Sequence, residues 1–455
     1  MSIIPNNKKL KILMDADDPR LFSGVGIMTD SISRVFVENG WDVVHIASAI
    51  KHPNFNVIVD DIGRKIYPYN GYGDIFFLRN IIEQEKPDIM WIMTDPRYWT
   101  WLFAMEDEVR SKMPLIWYSV WDALPPPKYN FDYYNSCDYI HCISKLSYNI
   151  VKQCAEETNS TYKFEYCPHG IDIDLFKPLK WKDKFDDLIE LQRWEFEGRK
   201  GDKPSQINLY QFADRVQEAA IPWRKDYKNV NFIVFWNNKN MRRKNAPLIM
   251  EGFHKFAKDK DDCILLLHTD PVTEHGTDLP VVRETLFSDV PIIIFPQKIP
   301  PEEMVKFYNI SACVVNVASA EGFGLSNLEA MSCGTPTIIC KTGGLQDQIY
   351  YKGDKKYPCG IEIPIDAQVM VGSPPTPYIY DDYISPNSLA NALEEMYLAF
   401  KKRRSGSRYD RWCKNSRKNA IENFDANKMC QQHVDSIKWL VENWEPRKKW
   451  IMEKL

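Results

Sequence analysis

The sequence predicts an α/β protein built as two parallel-sheet units, and three observations carry that prediction. The chain has 455 residues, too many for one ordinary compact core, so two domains are expected. Short apolar runs alternate with stretches of helical spacing through the first third, which is the pattern of a parallel sheet covered on both faces. The same alternation restarts near Asn231.

In the first half, residues 10–14 (Leu-Lys-Ile-Leu-Met) read as a buried strand. A loop with Gly24 and Gly26 follows. Residues 27–39 have helical spacing and stop before Gly40, a favourable C-terminal residue. Residues 41–46, 89–93, 115–120 and 139–143 are further strands, and 146–157 is a helix among them. In the second half, 232–236, 263–268, 292–295, 313–317 and 337–340 read as strands, separated by helices at 247–258, 301–310 and 327–332. Between the halves, 180–221 is charged and poor in strand signals, and reads as an insertion near a hinge. Residues 371–383, with Gly-Ser-Pro-Pro-Thr-Pro, read as irregular. Residues 389–450 have a helical pattern. No short-period repeat is visible, which argues against a solenoid.

Composition excludes some classes of function. Apolar residues make up 44% and charged residues 26%, as in ordinary globular proteins. A formal charge of -4 gives no sign of a polyanion binder, although a local basic groove stays open. The longest apolar runs are strand-sized and cannot span a bilayer. The N-terminal residues lack the apolar stretch of a signal peptide. Eleven cysteines are scattered without a CxxC pair, suggesting neither zinc nor a disulfide framework. A soluble, cytoplasmic protein is expected, with peripheral membrane or nucleic-acid contact left open. The aromatics Trp91, Tyr98, Trp99, Trp101, Trp117, Tyr118 and Trp121 could stack on sugars, but core packing is the preferred reading.

The most informative segment runs from Glu321 to Pro336, EGFGLSNLEAMSCGTP. It follows a strand and opens a helix. Glycines let backbone approach a ligand, and free N–H groups at a helix start suit a phosphate. Glu321 and Glu329 flank the turn and can accept from sugar hydroxyls. Ser326-x-x-Glu329 also fits a capping box, in which Glu329 only closes the first helical turn. A second segment, residues 238–245 (Asn-Lys-Asn-Met-Arg-Arg-Lys-Asn), puts several cations between a strand and a helix. Such a loop can grip a diphosphate, or it can be a solvated basic loop. The string Asp15-Ala16-Asp17-Asp18 reads as a polar strand end rather than a metal site.

The first segment closely resembles the Glu-x7-Glu signature of family four of the GT-B retaining glycosyltransferases (glycosyl transferases group 1). The resemblance covers about residues 8–176 and 223–440 and is tight only in the motifs. It implies two Rossmann-like domains facing each other across a cleft. The first is 1–176, completed by a C-terminal helix at about 436–455. A charged linker occupies 177–222, and the nucleotide-sugar domain is 223–435. It implies that Glu321 binds the donor sugar, Glu329 the ribose, and that the amides of Gly322, Phe323, Gly324 and Leu325 approach sugar and phosphate. Lys244 falls on the Lys of the family's Arg-x4-Lys clamp. Lys239 stands where Arg is usual, and Arg242 or Arg243 would take over part of its role. Gly24 and Gly26 match the family's Gly-rich loop. His169, in Pro168-His169-Gly170, replaces a common Asn. His268 sits at a strand end facing the expected cleft, and residues 295–298 lie where relatives place the base. Trp121 occupies the position of a family His that contacts the sugar, and Asp122 keeps the next one.

The activity implied is retaining transfer of a hexose from a UDP- or GDP-sugar to a hydroxyl acceptor. The acceptor would be a glycan, a lipid-linked sugar or a small molecule. Glu321, Lys244 and Asp122 are the catalytic candidates, and no metal or other cofactor is expected. The alternatives are a sugar transferase that modifies a nucleic acid base and a non-catalytic binding module.

Overall fold

The computed structural model describes residues 9–179 and 232–447. The insertion expected at 180–221 lies outside these residues, as do the last residues of the C-terminal segment. The chain divides into two compact units. Unit 1 comprises Met1–Gly170, Met370–Tyr380 and Ala426–Leu455, and unit 2 comprises Ile171–Val369 and Asp381–Asp425.

Unit 1 holds an eight-stranded sheet. Its strands are β1 (Lys11–Asp17), β2 (Asp42–Ser48), β3 (Ile58–Val59), β4 (Lys65–Pro68), β5 (Ile89–Thr94), β6 (Leu115–Ser119), β7 (Tyr139–Cys142) and β8 (Lys163–Tyr166). They lie in the order β3-β4-β2-β1-β5-β6-β7-β8. All neighbours are parallel except the short β3–β4 pair. The central strands are buried on both faces, which is why they read as unbroken apolar runs. Trp91, Trp99, Trp117 and Tyr118 are fully buried, so core packing is the role of most of this aromatic cluster. The Trp117 ring stacks on Tyr134 at 5.0 Å, and its indole N–H donates to the Thr94 carbonyl over 3.2 Å. Tyr98 alone among the quoted aromatics is well exposed, at 43%.

Unit 2 holds a six-stranded, all-parallel sheet of β9 (Phe232–Asn237), β10 (Cys263–His268), β11 (Ile292–Phe295), β12 (Cys313–Asn316), β13 (Thr337–Cys340) and β14 (Gly360–Ile363). The order is β11-β10-β9-β12-β13-β14. Counted within the unit, this is 3-2-1-4-5-6, the doubly wound order of dinucleotide-binding folds. It reverses direction between β9 and β12, and the crevice beyond the carboxyl ends of those two strands is where such sheets bind ligands. The helices Ala246–Ala257, Pro301–Ile310, Leu325–Ser332, Pro386–Lys401 and Arg408–Asn423 belong to this unit. The helical pattern expected from 389 onward corresponds to Pro386–Lys401, Arg408–Asn423 and Ala426–Asn443, the last of them in unit 1; the helix ends at Asn443, and 444–447 are not helical.

Three local expectations are corrected. Gly24 and Gly26 lie in the first turn of the helix Gly24–Glu38, not in the loop before it. Ser23 is the N-cap, and its hydroxyl accepts from the Gly26 N–H, so the helix starts three residues earlier than apolar spacing showed. Residues 371–383 are not irregular. Ala367–Ser373 (β15) and Thr376–Tyr383 (β16) form a two-stranded hairpin. Its prolines sit at the turn and on the strand, where an isolated ribbon tolerates them. Tyr129 donates through its hydroxyl to the Tyr378 carbonyl over 3.1 Å. The helix expected at 327–332 begins at Leu325, which changes the reading of the motif it carries. All eleven cysteines are free. Among the described residues, no helix is long and apolar enough to cross a membrane.

Replacing Trp117 with Ala removes the buried ring that spans β6 and the Phe131–Asn135 helix. A loss of about 3–5 kcal/mol in the stability of unit 1 is expected, read as a lower midpoint in urea denaturation; a loss below 1 kcal/mol would contradict this packing role.

Candidate functional site

The predicted residues of the second half gather at the switch point of unit 2. β9 ends at Asn237, and a loop leads to the single turn Arg242–Lys244. Asn245 then adopts a left-handed conformation, φ 57°, which Asn tolerates, and the next helix begins at Ala246. β12 ends at Asn316, and Glu321 follows within five residues. Lys244 and Glu321 are both buried, and Lys244 Nζ donates to Glu321 Oε2. Asn316 Nδ2 reaches the same oxygen at 3.3 Å. Arg243 is held nearby by a 2.6 Å bond from its guanidinium to the Ala320 carbonyl.

Electrostatics keep the Glu321 carboxylate charged. Burial alone would raise the Glu321 carboxyl, but the charges of Lys244 and Arg243, with the hydrogen bonds from Lys244 and Asn316, bring it below the ordinary glutamate value. Lys239 is different. It is exposed, and among the described residues it has no ion-pair partner. The structure therefore brings Lys244, Arg243 and Glu321 together and leaves Lys239 on the loop surface.

The turn between the two glutamates is tightly built. Gly324 has φ +90° and is the N-cap of the helix Leu325–Ser332. A Cβ there would stand 2.6 Å from Leu345 Cδ2, so both conformation and space require glycine. Gly344 packs its α-carbon on the turn: a Cβ on it would lie 2.2 Å from the Gly322 carbonyl oxygen. The Gly344 N–H donates to the Glu321 carbonyl over 2.9 Å, and Gln348 Nε2 donates to the Phe323 carbonyl over 2.6 Å. Phe323 is buried against Phe424, with ring centroids 5.6 Å apart. The amides of the first helical turn are thus fixed at the end of β12, a ready arrangement for an anion.

Glu329 does not close a capping box. The cap is Gly324, which leaves Ser326 two positions past the cap, as the second residue of the helix. Glu329 is half-buried, and its Oε2 is hydrogen-bonded with the Tyr308 hydroxyl. Burial pushes it up to about 7, with the Tyr308 bond opposing. His268, at the end of β10, is half-buried; burial lowers it, against the pull of the Gln297 carbonyl and Asp270.

The first-half candidates lie in unit 1. Gly24 is exposed and Gly26 buried, its α-carbon against the Leu21 carbonyl. Trp121 is 5% exposed, packs in the core at 6.0 Å from Tyr129, and donates its indole N–H to the Ala123 carbonyl over 2.8 Å. Asp122 is half-buried just past β6. His169 is buried, its Nδ1 2.8 Å from the Tyr118 hydroxyl. Asp17 receives the Ser23 and Tyr72 hydroxyls at 2.9 and 2.8 Å, in keeping with a polar strand end. Among the described residues, His141, Cys167 and His433 are the one group with metal-ligand chemistry. They are fully buried in unit 1, and their nitrogens already face Trp91 at 3.4 Å and Ser436 at 2.9 Å.

Sequence reasoning missed Asn237, Tyr308, Asn316, Gly344 and Gln348. The asparagines did leave a signal, since each is a polar residue that closes an apolar strand. Tyr308 and Gln348 left none, because their role depends on which helices face the turn.

Replacing Lys244 with Met leaves Glu321 buried without its partner. A loss of about 3–5 kcal/mol is expected, and the double change Lys244→Met with Glu321→Gln should recover most of it. Because the folded carboxyl lies below its ordinary value, the pair's contribution is complete above that value and is lost as pH falls through the lowered one. Urea denaturation from pH 7 to pH 3 reads both effects. Additive single and double changes would show that the two side chains do not interact.

Residues 227–355 match the family described as Glycosyl transferases group 1. A D-inositol 3-phosphate glycosyltransferase of Acidothermus cellulolyticus is 38% identical over 53 residues, 12% of either chain. The N-acetyl-alpha-D-glucosaminyl L-malate synthase of Bacillus anthracis is 26% identical over 172 residues, 38% of this chain and 42% of that one. The matches therefore span well under two thirds of these relatives' length. The whole fold is similar to that of Anabaena HepE, solved in complex with UDP and glucose. That likeness has a TM-score of 0.63 at 14% identity and covers 95% of this chain and 100% of that one. Taken with the strand order and the motif geometry, these findings identify the chain as a GT-B fold protein whose residues 227–355 are a glycosyl transferases group 1 domain.

Proposed function

We propose that the chain is a retaining glycosyltransferase that moves a hexose from a nucleoside diphosphate sugar to a hydroxyl acceptor. The observation that carries this reading is the buried Lys244–Glu321 pair at the switch point of unit 2, beside the N-terminus of the Leu325–Ser332 helix. A cation and free amides suit the diphosphate, and the carboxylate suits sugar hydroxyls. Without ligand, the two charges satisfy each other. With donor bound, the diphosphate takes the Lys244 ammonium, and the sugar hydroxyls donate to Glu321. The likeness to a protein solved with UDP and glucose supports a nucleotide-sugar donor.

In the reaction, Lys244, with Lys239 and Arg243 on the same loop and the Phe323–Leu325 amides, stabilises the departing nucleotide diphosphate. Charge developing on the leaving oxygen is where fixed donors lower a barrier most. Attack comes from the face the leaving group vacates, through an oxocarbenium-like state, and the phosphate takes the acceptor's proton. Lysine and amides supply the positive charge, so this scheme needs no metal. Unit 1 takes the acceptor at the carboxyl ends of its strands, the ligand side of a parallel sheet. Asp122 and the Gly24–Gly26 turn lie at that end.

A donor at a hundredfold excess over its Kd should stabilise the folded chain by about 2.7 kcal/mol, seen as a raised Tm in a screen of UDP- and GDP-sugars. Lys244→Ala should remove most of that shift and lower turnover by about a hundredfold or more. A screen in which no nucleotide sugar raises the Tm or is hydrolysed would overturn the reading.

A further inference from the structure

A line of hydrogen bonds runs through unit 2 from Glu329. The Tyr308 hydroxyl, on the helix Pro301–Ile310, meets Glu329 Oε2. Asn237 Nδ2, at the end of β9, meets that hydroxyl at 2.8 Å. Asn237 Oδ1 faces His268 Nδ1 at 2.8 Å, and His268 Nε2 faces the Gln297 carbonyl at 2.7 Å. The line crosses the carboxyl ends of the neighbouring strands β9, β10 and β11.

Counting protons constrains this line. The imidazole stands between two oxygens, and a neutral ring has one N–H. As drawn, a neutral His268 would set one lone pair against another. Two arrangements satisfy every member. In the first, His268 is an imidazolium donating to both oxygens, Asn237 donates to Tyr308, Tyr308 donates to Glu329, and Glu329 is a carboxylate. In the second, the Asn237 amide is turned over. Glu329 is then a carboxylic acid donating to Tyr308, Tyr308 donates to Asn237 Oδ1, Asn237 Nδ2 donates to His268 Nδ1, and neutral His268 donates through Nε2 to Gln297. Both arrangements hold the same number of protons: one has moved between Glu329 and His268.

The surroundings set the resting state. The charge acting on His268 is that of Asp270, beyond the end of its own strand. β9 offers it the Asn237 amide, and the β11 end offers the Phe295 ring at 5.0 Å and the Gln297 carbonyl; Tyr308 and Glu329 connect to it only through Asn237. Burial outweighs Asp270 at His268, and it also disfavours the charged form of Glu329. The neutral arrangement is therefore the resting one.

We propose that Tyr308, Asn237 and His268 are positioning residues that let Glu329 become a carboxylate for the ribose hydroxyls by passing its proton to His268 rather than to solvent, while His268 holds the Gln297 carbonyl in place. The proposal rests on unit 2 being the nucleotide-sugar site. It makes donor affinity insensitive to pH where an isolated half-buried carboxyl would make it steeply sensitive.

The full chain, labelled with 15N-histidine, tests this at pH 6.5, with the His268 signals assigned by their loss in His268→Gln. Without ligand, the proton should sit on Nε2 alone; saturating UDP-glucose should protonate both nitrogens. Calorimetry with UDP-glucose from pH 5.5 to pH 6.5, where the unliganded Glu329 holds its proton, in buffers of different ionisation enthalpy, should show less than a threefold change in Kd and no net proton release for the natural chain. In His268→Gln, affinity should fall about tenfold per pH unit below 7, with release of about one proton. A ring that stays neutral on binding, or a His268→Gln chain with the natural proton count, overturns the relay and leaves the donor site standing. If neither UDP-glucose nor GDP-mannose binds the natural chain, the donor-site reading is what fails. The unliganded spectrum still judges the relay in that case, because a proton on Nδ1 overturns it.

Discussion

A buried ammonium beside a buried carboxylate is the constraint around which unit 2 is organised. Neither Lys244 nor Glu321 could stay charged at this depth alone, since removing an ion from water costs several kcal/mol. Each therefore depends on the other's placement. That placement is set by the sheet: Lys244 follows β9, Glu321 follows β12, and the two strands are paired in parallel, Cys313 with Val234 and Val314 with Phe235. A slip of one residue would turn the side chains of one strand to the opposite face and would carry its loop away from the partner charge. The unbroken apolar burial of both strands thus fixes the distance between two ions that lie beyond their ends.

The same logic explains the density of glycine and amide contacts around residues 321–325. The helix Leu325–Ser332 must start close to Glu321 if its amides are to act where the carboxylate acts. Gly324 makes that start possible by taking a conformation and a space no side chain fits. Gly344 and Gln348, which follow β13, then hold the turn through its carbonyls. Loops of three strands converge on five residues, and the site's stiffness comes from that convergence rather than from the motif alone.

Much of this was legible in the sequence, for definite reasons. Cys263–His268, Ile292–Phe295, Thr337–Cys340 and the helix Pro301–Ile310 lie where apolar runs and a proline start put them, because strands buried on both faces admit almost nothing else. The chain of charges in residues 238–245 and the glutamates of the turn stood out because polar residues there interrupt apolar patterns. What failed was local spacing taken without its cap. Gly24 and Gly26 looked like loop because glycine is a poor helix former, yet Ser23 caps a helix that begins with them. Ser326 looked like a cap because of the Glu three residues on, but Gly324 takes the position. The β15–β16 ribbon was hidden by its prolines. Asn237 and Tyr308 could not be joined from sequence at all, since 71 positions separate them.

The two glutamates of one short motif end in opposite electrostatic situations. Glu321 is lowered by Lys244 and Arg243, so it is a permanent negative charge at neutral pH. Glu329, seven residues after Gly322, has no cation against it among the described residues. Its neighbour is a phenol, and burial carries it up to about 7. Environments that push two carboxyls apart in this way give them different work. A fixed charge suits a group that must face a sugar and balance a lysine whether or not ligand is present. A conditional charge suits a group that is asked to ionise only when hydroxyls arrive to hydrogen-bond it. The difference follows from position within one short motif: Glu321 closes the strand side of the switch point, beside Lys244 and Arg243, and Glu329 lies a turn into the helix, where its partner is Tyr308.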